Sequence, residues 1–347
     1  MKQNLNLGKN TALILTGNSD RLYFSGIAVD EGLVVVTDSS TYLFTDARYF
    51  IAIEQVAQDL GVTPILYKGF NCLKEFFKQN RIKKGYVNYS TTTLLESVNL
   101  KKQGVKILDG TSIISKCRVV KSDEEIAFIQ KACEITQTAL LKAVKKIKLG
   151  ITEKQVATLI EKEMVKLGAQ GLAFDTIVAF GKNSAIPHHV TGDTPLTENT
   201  VVLIDTGAKY KGYCADITRT YFFGKPNGKF IDRYNAVLDA NLLAEEKIYV
   251  GLSVKDADNI ARQSLKQVGL DNFFTHSLGH GLGLDIHESP SLSPKGEGTI
   301  LENSPFTIEP GVYFDGEYGI RIEDTVYISG EKLIRLFTDD KTLTCLN

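Results

Sequence analysis

The chain has 347 residues, of which 43% are hydrophobic and 23% are charged, and its formal net charge at pH 7 is -1. This composition is ordinary for a globular protein, and the length favours two domains or one large one. Because the charges nearly balance, there is no overall electrostatic attraction towards nucleic acid or an acidic membrane surface, and we expect neither as a partner.

The sequence also favours a cytoplasmic location. The apolar run near the N-terminus covers Thr11 to Leu15, which is too short for the apolar region of a signal peptide, and no stretch is long enough to span a bilayer. The five cysteines are scattered and never form a CxxC pair, which is typical of reduced thiols and not of a disulfide framework.

The first part of the chain alternates short strand-like runs with helical ones. TALILTG, GLVVVTD and TYLFTD predict strands that end at Gly or Asp, and residues 47–61 predict a helix that ends at a glycine. NCLKEFFKQNRI predicts a second helix, and KGYVNYS predicts another strand. We therefore predict a small α/β domain with a mixed or parallel sheet over residues 1–117.

A second domain is predicted over residues 118–347. Ser122 and Glu125 form a capping box at the start of a long helix, and Thr152 caps another helix. Strand-like runs follow, with helices predicted at 230–250 and 253–269 between them.

Two acidic residues lie inside the strand-like runs VVLIDTGA and CADITRTYFF. If the runs form one hairpin, Asp205 and Asp216 are equidistant from its centre between residues 210 and 211. They would then face each other with Cβ atoms roughly 4.5–5.5 Å apart. Two buried, opposed carboxylates repel at a cost of several kcal/mol, unless one takes up a proton or a cation lies between them.

A second hairpin repeats this arrangement. In FTIEPGVYFDGEYGIRIEDTVYI, the turn signal Asp315-Gly316 lies midway between Glu309 and Glu323. A single acid in a strand is usually an exposed residue, but four acids in two mirrored pairs favour a site for two divalent cations. Two ions about 3.5–4 Å apart can hold a hydroxide between them and polarise a carbonyl.

All five histidines lie between residues 188 and 287. His280 is flanked by Gly279 and Gly281, which let a backbone approach a crowded site closely. The glycine spacing matches a phosphate-binding GxGxxG motif only loosely, so we do not predict a nucleotide site. A lone histidine is usually structural, but histidines in several segments beside four paired acids favour a shared site.

These residues resemble a known family. Asp205, Asp216, His280, Glu309 and Glu323, in this order, resemble the five-ligand set of the creatinase/aminopeptidase, or pita-bread, metallopeptidases. The motifs IDTGAKYKGYCADITRT, LGHGLGLDIHESP, TIEPGVY and GIRIEDTV match closely, and SAIPHH matches the histidine-bearing loop of the family. The first 115 residues resemble the smaller creatinase-like N-terminal domain through LYFSGI and YLFTDARYF.

The resemblance implies a fold. The expected class is α/β (α+β), with a pita-bread catalytic domain made of two pseudo-twofold halves around a central metal pair. A smaller creatinase-like α/β domain precedes it.

The resemblance also implies a role for each metal ligand. Asp216 and Glu323 bridge both ions, Asp205 completes the shell of one ion, and His280 and Glu309 complete the shell of the other. Glu309 is in addition the expected proton shuttle from the attacking water to the leaving nitrogen.

Three further residues are expected to assist the reaction. By resemblance, His188 and His287 hydrogen-bond the substrate carbonyl and the tetrahedral oxyanion. His189 is the alternative to His188. Arg321 is expected to orient an acidic ligand, the alternative being a surface arginine. Cys214 is expected to be a buried, inert thiol and not a metal ligand.

The function implied is that of an Xaa-Pro aminopeptidase acting through a metal-bridging hydroxide. Its partners would be short peptides with proline in the second position. The alternative is an Xaa-Pro dipeptidase, or prolidase, which would have the same ligands, and a non-catalytic pita-bread binding module is disfavoured because all five ligands are present. The implied cofactors are two divalent metal ions per chain, with manganese favoured over cobalt, zinc or iron. The resemblance also implies a homodimer.

Overall fold

The computed structural model describes residue 5 and residues 7–347 of the chain. It divides into two compact units, of which the first extends to Arg118 and the second runs from Val119 to Asn347. Among the described residues, no helix combines the length and the apolar character that crossing a membrane requires.

The first unit is built on a six-stranded mixed sheet with the strand order β4-β3-β2-β1-β5-β6. Its strands are β1 (Thr11–Leu15), β2 (Leu33–Val36), β3 (Thr41–Thr45), β4 (Val62–Leu66), β5 (Lys84–Val87) and β6 (Lys106–Asp109). Its helices are α1 (Asn18–Ser25), α2 (Ala47–Asp59), α3 (Asn71–Gln79), α4 (Leu94–Lys102) and α5 (Thr111–Val119).

The central strand β1 explains why this sheet is covered on both faces. Leu13 and Leu15 belong to one buried hydrophobic cluster, whereas Ala12 and Ile14 belong to another. Because successive side chains of a strand point to opposite faces, both faces of the sheet carry a core. The predicted small α/β domain is therefore present, and its sheet is mixed: β1 is antiparallel to β2 and parallel to β5.

The second unit contains four long helices and fourteen strands among the described residues. The helices are α6 (Asp123–Val144), α7 (Glu153–Lys166), α8 (Gly228–Lys247) and α9 (Val254–Gln267). The strands are β7 (Gly171–Leu172), β8 (Ile177–Phe180), β9 (Thr200–Thr206), β10 (Ala208–Tyr210), β11 (Tyr213–Cys214), β12 (Ile217–Phe223), β13 (Gly279–Gly281), β14 (Glu288–Leu292), β15 (Phe306–Ile308), β16 (Gly311–Phe314), β17 (Tyr318–Arg321), β18 (Asp324–Ser329), β19 (Lys332–Arg335) and β20 (Cys345–Leu346).

The predicted helix caps are confirmed. The hydroxyls of Ser122 and Thr152 each accept a hydrogen bond from the backbone N–H three residues on. The side chains of Glu125 and Gln155 in turn accept from the backbone N–H of Ser122 and Thr152. Each cap satisfies backbone N–H groups that the first helical turn leaves without a partner.

The second unit repeats one arrangement twice. The packed pair α6 and α7 precedes the antiparallel strands β8, β9 and β12, and the packed pair α8 and α9 precedes β13, β15 and β18. The second repeat closes over a large hydrophobic core that α8 and α9 share with these strands. This repetition is the pseudo-twofold organisation expected of a pita-bread domain.

The first acidic hairpin is present, but its register differs from the prediction. Lys211 and Gly212 have positive φ angles of 50° and 83° and form the two-residue turn between β10 and β11. The centre of the hairpin therefore lies one residue later than predicted, and Asp205 pairs with Thr218. Asp216 lies in the irregular segment between β11 and β12. The predicted direct pairing of Asp205 with Asp216 was wrong because it placed the turn one residue too early.

The register of the second acidic hairpin is confirmed. The pairing of β16 with β17 and that of β15 with β18 share one register, centred on Gly316. Glu309 and Glu323 fall in the interruption between these two pairings and lie across from each other.

Candidate metal centre

Interruptions of the strands position three of the four acids. Asp216 lies between β11 and β12, Glu309 between β15 and β16, and Glu323 between β17 and β18, whereas Asp205 lies within β9. The backbone N–H of Glu309 donates to the Leu278 carbonyl at 2.8 Å, and that of Glu323 donates to the Thr218 carbonyl at 3.1 Å. Glu309 and Glu323 therefore lie where strands leave one ladder and bond to another, not inside regular strands, which disfavour acids.

The predicted ligands converge on one point. One ligand atom from each of Asp216, His280 and Glu323 lies within 4.8 Å of the others. The Nε2 atom of His280 is 3.5 Å from an Asp216 oxygen and 3.4 Å from a Glu309 oxygen. Asp205 lines the same cavity as these residues, and its charge adds to burial in raising the pKa of Asp216, Glu309 and Glu323.

The cluster opens into a cavity of about 710 Å³. Its lining includes all five predicted metal ligands and all four residues predicted to be catalytic, Glu309 being both: Asp205, Asp216, His280, Glu309, Glu323, His188, His287 and Arg321. A volume of this size lies within the range of pockets that bind small ligands.

Burial changes the protonation of the acids. Burial raises the pKa of Glu309 to about 7, partly opposed by the positive charge of Arg321. Burial and the neighbouring carboxylates also raise the pKa of Asp216 and that of Glu323 well above their ordinary values. Without a cation between them, these carboxyl groups hold protons at pH values where free ones are ionised.

The imidazole of His280 is arranged as a metal ligand. Burial lowers the pKa of His280, so the ring is neutral near pH 7. Its Nδ1–H donates to the Gly281 carbonyl at 3.1 Å, which leaves a lone pair on Nε2, the atom nearest Asp216 and Glu309. A lone pair that faces ionised carboxylate oxygens is unfavourable unless a cation or a proton lies between them.

Asp205 provides a second test of whether the site fits metal ions. Its Oδ2 atom accepts a hydrogen bond from Arg321 at 2.6 Å, but its Oδ1 atom is buried with no hydrogen-bond partner among the described residues. A buried carboxylate oxygen without a partner is costly, and a cation would satisfy it. Four carboxylates with one imidazole suit divalent cations that prefer oxygen and nitrogen ligands. The residues present therefore fit a metal centre.

The glycines beside His280 act as predicted. A Cβ atom on Gly279 would lie 1.9 Å from the Thr307 carbonyl oxygen, and one on Gly281 would lie 2.1 Å from the Ser289 carbonyl oxygen. Only glycine permits these contacts, which bring the strand that carries His280 against its neighbours.

The two adjacent histidines both line the cavity but make different contacts. His188 lines the cavity together with Glu309, His276 and His287. The neighbouring His189 instead uses its Nε2 atom in a 2.9 Å contact with Glu153. The structure thus brings His188 towards the cluster and ties His189 to a separate carboxylate.

His287 and Arg321 also lie against the cluster. The ring of His287 packs edge-on against that of His280, with centroids 4.3 Å apart. The guanidinium of Arg321 is buried and donates to Asp205 at 2.6 Å and to Thr218 at 3.0 Å, so it is not a surface arginine. The hydroxyl of Thr218 in turn donates to Glu323 at 2.7 Å.

Cys214 is fully buried, and its thiol lies 3.6 Å from the Leu284 carbonyl. This agrees with the expectation of an inert, buried thiol.

Two participants were not singled out from the sequence, His276 and Tyr313. The Tyr313 hydroxyl accepts from Arg321 at 2.7 Å and donates to Nε2 of His276 at 2.8 Å, while Nδ1–H of His276 donates to the Ser277 carbonyl at 2.8 Å. Burial lowers the pKa of His276 to about 3 and so keeps the ring neutral. The available signals were the position of His276 four residues before His280 and the tyrosine within TIEPGVY.

Thr307 is another residue that the sequence did not single out. Its hydroxyl donates to Glu309 at 3.0 Å and accepts from the backbone N–H of His280 at 3.0 Å. It therefore joins two predicted ligands from neighbouring strands.

Comparison with known families identifies both units. Residues 127–330 match the model of metallopeptidase family M24, and residues 3–120 match that of the creatinase/prolidase N-terminal domain. An Xaa-Pro dipeptidase of Pyrococcus furiosus is 37% identical over 325 residues, which cover 92% of this chain and 91% of that protein.

Solved structures resemble the whole chain. An Xaa-Pro dipeptidase from Bacillus anthracis superimposes with a TM-score of 0.92 at 31% identity, covering 96% of this chain and 95% of that one. An X-Pro aminopeptidase from Thermotoga maritima superimposes with a TM-score of 0.88 at 33% identity, covering 97% of each chain. These similarities confirm the predicted fold.

Proposed function

Because the chain belongs to metallopeptidase family M24, we propose that it hydrolyses the bond between an N-terminal residue and a following proline, with Xaa-Pro dipeptides as preferred substrates. The observation that carries this proposal is the buried cluster of four carboxylates around the neutral imidazole of His280. The similarity to the Pyrococcus furiosus and Bacillus anthracis dipeptidases supports the dipeptidase alternative better than the aminopeptidase that the sequence put first.

The proposed ligand assignment follows the family pattern. Asp216 and Glu323 would bridge two divalent cations, Asp205 would complete one shell, and His280 and Glu309 would complete the other. When bound, the cations supply positive charge that acidifies a water molecule and polarises the scissile carbonyl. Manganese is favoured, and cobalt, zinc and iron are the alternatives.

The chain's own residues would move the protons and hold the substrate. Glu309, whose pKa is about 7 before cations bind, lies beside His280 and can pass a proton to the leaving nitrogen. His188 and His287 line the same cavity and would donate to the substrate carbonyl oxygen as negative charge develops. Arg321 would hold Asp205 in place through its 2.6 Å hydrogen bond.

An Xaa-Pro aminopeptidase remains the second candidate. The similarity to the Thermotoga maritima X-Pro aminopeptidase supports it, since that structure covers the whole chain as well as the dipeptidases do.

One assay separates these candidates. Protein loaded with manganese is given Ala-Pro, Ala-Pro-Ala and Ala-Ala, and release of free alanine is measured. Rapid cleavage of Ala-Pro with slow cleavage of Ala-Pro-Ala supports the dipeptidase, and the reverse order supports the aminopeptidase. Failure to cleave either proline peptide with about two bound ions per chain would refute the proposal. Light scattering in the same buffer tests the predicted homodimer.

A further inference from the structure

Glu153 is a buried carboxylate with no role in the proposed chemistry. It is the first residue of α7, and its side chain is 0% exposed. Its Oε1 atom accepts from the Phe180 backbone N–H and the Asn183 amide, each at 2.8 Å. Its Oε2 atom accepts from Nε2–H of His189 at 2.9 Å and from the Gly192 backbone N–H at 3.1 Å.

All four donors belong to one segment, residues 180–192, which we call the histidine loop because it carries His188. These donors lie at the start, in the middle and at the end of the loop. The Glu153 carboxylate therefore holds the loop by hydrogen bonds along its whole length. On the other side, Ser184 accepts from the Gly319 backbone N–H at 2.9 Å, and the Pro187 carbonyl lies 3.5 Å from Arg321. The loop is thus anchored both at α7 and at the strand that carries Arg321.

Hydrogen-bond donors surround the Glu153 side chain. It occupies the first turn of a helix, where the backbone N–H groups and the helix dipole stabilise a negative charge. Burying a carboxylate is costly unless donors surround it, and four donors do so here. Removing one donor is therefore expected to loosen the attached part of the loop without exposing an apolar core.

The contact of Glu153 with His189 is the one nearest to the cavity. The side chain of His189 is 13% exposed and also lines the cavity, and His188 is its direct neighbour in the chain. Fixing the ring of His189 fixes the backbone from which His188 projects. A shift of about 1 Å in a group that contacts substrate can cost roughly a hundredfold in rate.

We propose that Glu153 and His189 are positioning residues that hold the histidine loop so that His188 faces the substrate. This inference rests on the proposed function, because it assumes that His188 contacts the peptide during turnover. Neither residue touches the reacting atoms, and their effect is transmitted through the backbone of the loop.

Two substitutions at His189 test the contact with Glu153. His189→Leu removes the donor, and His189→Gln keeps an N–H group that can reach the same carboxylate. We expect His189→Leu to lower kcat on Ala-Pro by about 10- to 100-fold with little change in KM, because an interaction of the transition state is lost. His189→Gln should recover most of this loss, and both variants should keep the metal content of the wild type.

A double-mutant comparison tests whether the effect passes through His188. In a His188→Ala background, His189→Leu should cause no further fall in kcat, since the group to be positioned is already absent. Glu163→Gln is the matched control: Glu163 lies on the same helix α7 but pairs with Lys166, and its replacement should leave kcat unchanged. An equal fall in kcat with and without His188 would overturn the proposal.

Hydrogen exchange measured by mass spectrometry gives a readout that does not depend on activity. Peptides covering residues 180–192 should exchange faster in His189→Leu than in the wild type or in Glu163→Gln. Unchanged exchange in His189→Leu would overturn the positioning role in an active enzyme. An inactive wild-type protein that binds its metal ions would instead overturn the proposed function, so the two failures are distinguishable.

Discussion

Removal of metal ions is expected to leave a protein that becomes less stable as the pH rises. In the folded protein burial is the main cause that raises the pKa of Glu309 to about 7, from an ordinary 4.5. Between these two values the folded protein keeps a proton that the unfolded chain has released. The folded state then binds more protons than the unfolded state, so the free energy of unfolding falls as the pH rises.

The size of the effect follows from the two pKa values of Glu309. The change from 4.5 to about 7 corresponds to a loss of about 3 kcal/mol in the free energy of unfolding once the pH exceeds both values. For a domain of about 150–250 residues, each kcal/mol shifts Tm by about 2–4 °C. About 2.5 kcal/mol of this loss falls between pH 5 and pH 8, so Glu309 alone accounts for a fall in Tm of about 5–10 °C over that range.

Calorimetry of chelator-treated protein at pH 5, 6, 7 and 8 measures this fall. Glu309→Gln replaces the carboxyl group by a neutral amide, so its Tm should fall less with pH than that of the wild type, and the fall that is left comes from Asp216 and Glu323. Glu163→Gln is the control: Lys166 lowers the pKa of the Glu163 carboxyl, and its removal should keep the steep fall. Parallel curves for the wild type and Glu309→Gln would refute the reasoning. Saturating manganese should reverse the trend, because cations replace the protons.

Three further outcomes are expected. Asp216→Asn should lower the turnover of Ala-Pro by about a hundredfold or more, since a neutral amide is a poor bridge between cations; a fully active variant would contradict the bridging role. Tyr313→Phe should lower the free energy of unfolding by about 1–3 kcal/mol in melting experiments, because the buried His276 loses its donor; an unchanged melting curve would contradict this. Gly279→Ala, whose Cβ would meet a backbone oxygen at 1.9 Å, should lower both Tm and metal content, whereas Gly228→Ala, with no heavy atom within 4 Å, should change neither.

The sequence predicted most of the architecture because its signals were local. The capping box of Ser122 and Glu125 depends only on neighbouring residues, and the structure contains it. The turn signal Asp315-Gly316 likewise fixed the register of the second hairpin. The first hairpin lacked such a signal. Its turn contains Lys211 with a positive φ angle, which residues other than glycine rarely adopt, so the prediction placed the turn one residue early.

The supporting groups of the site could not be predicted in the same way. Tyr313 bonds to Arg321 across one hairpin, but its other partner, His276, lies 37 residues earlier in the chain. In the sequence, Glu153 is an ordinary acidic residue in the first turn of a helix, where acids are common. Its contact with the histidine loop arises only when α7 packs beside that loop.

The charges of the cluster favour two cations over one. Asp205, Asp216, Glu309 and Glu323 bring four negative charges when ionised, and the buried cation Arg321 bonds to Asp205. One divalent ion would leave a net negative charge in a buried site, which would keep a carboxyl group protonated and oppose an attacking anion. Two divalent ions balance the four carboxylates, which leaves the single positive charge of Arg321 in excess. Such a site can accept the negative charge that develops on the scissile carbonyl oxygen, which a peptidase requires.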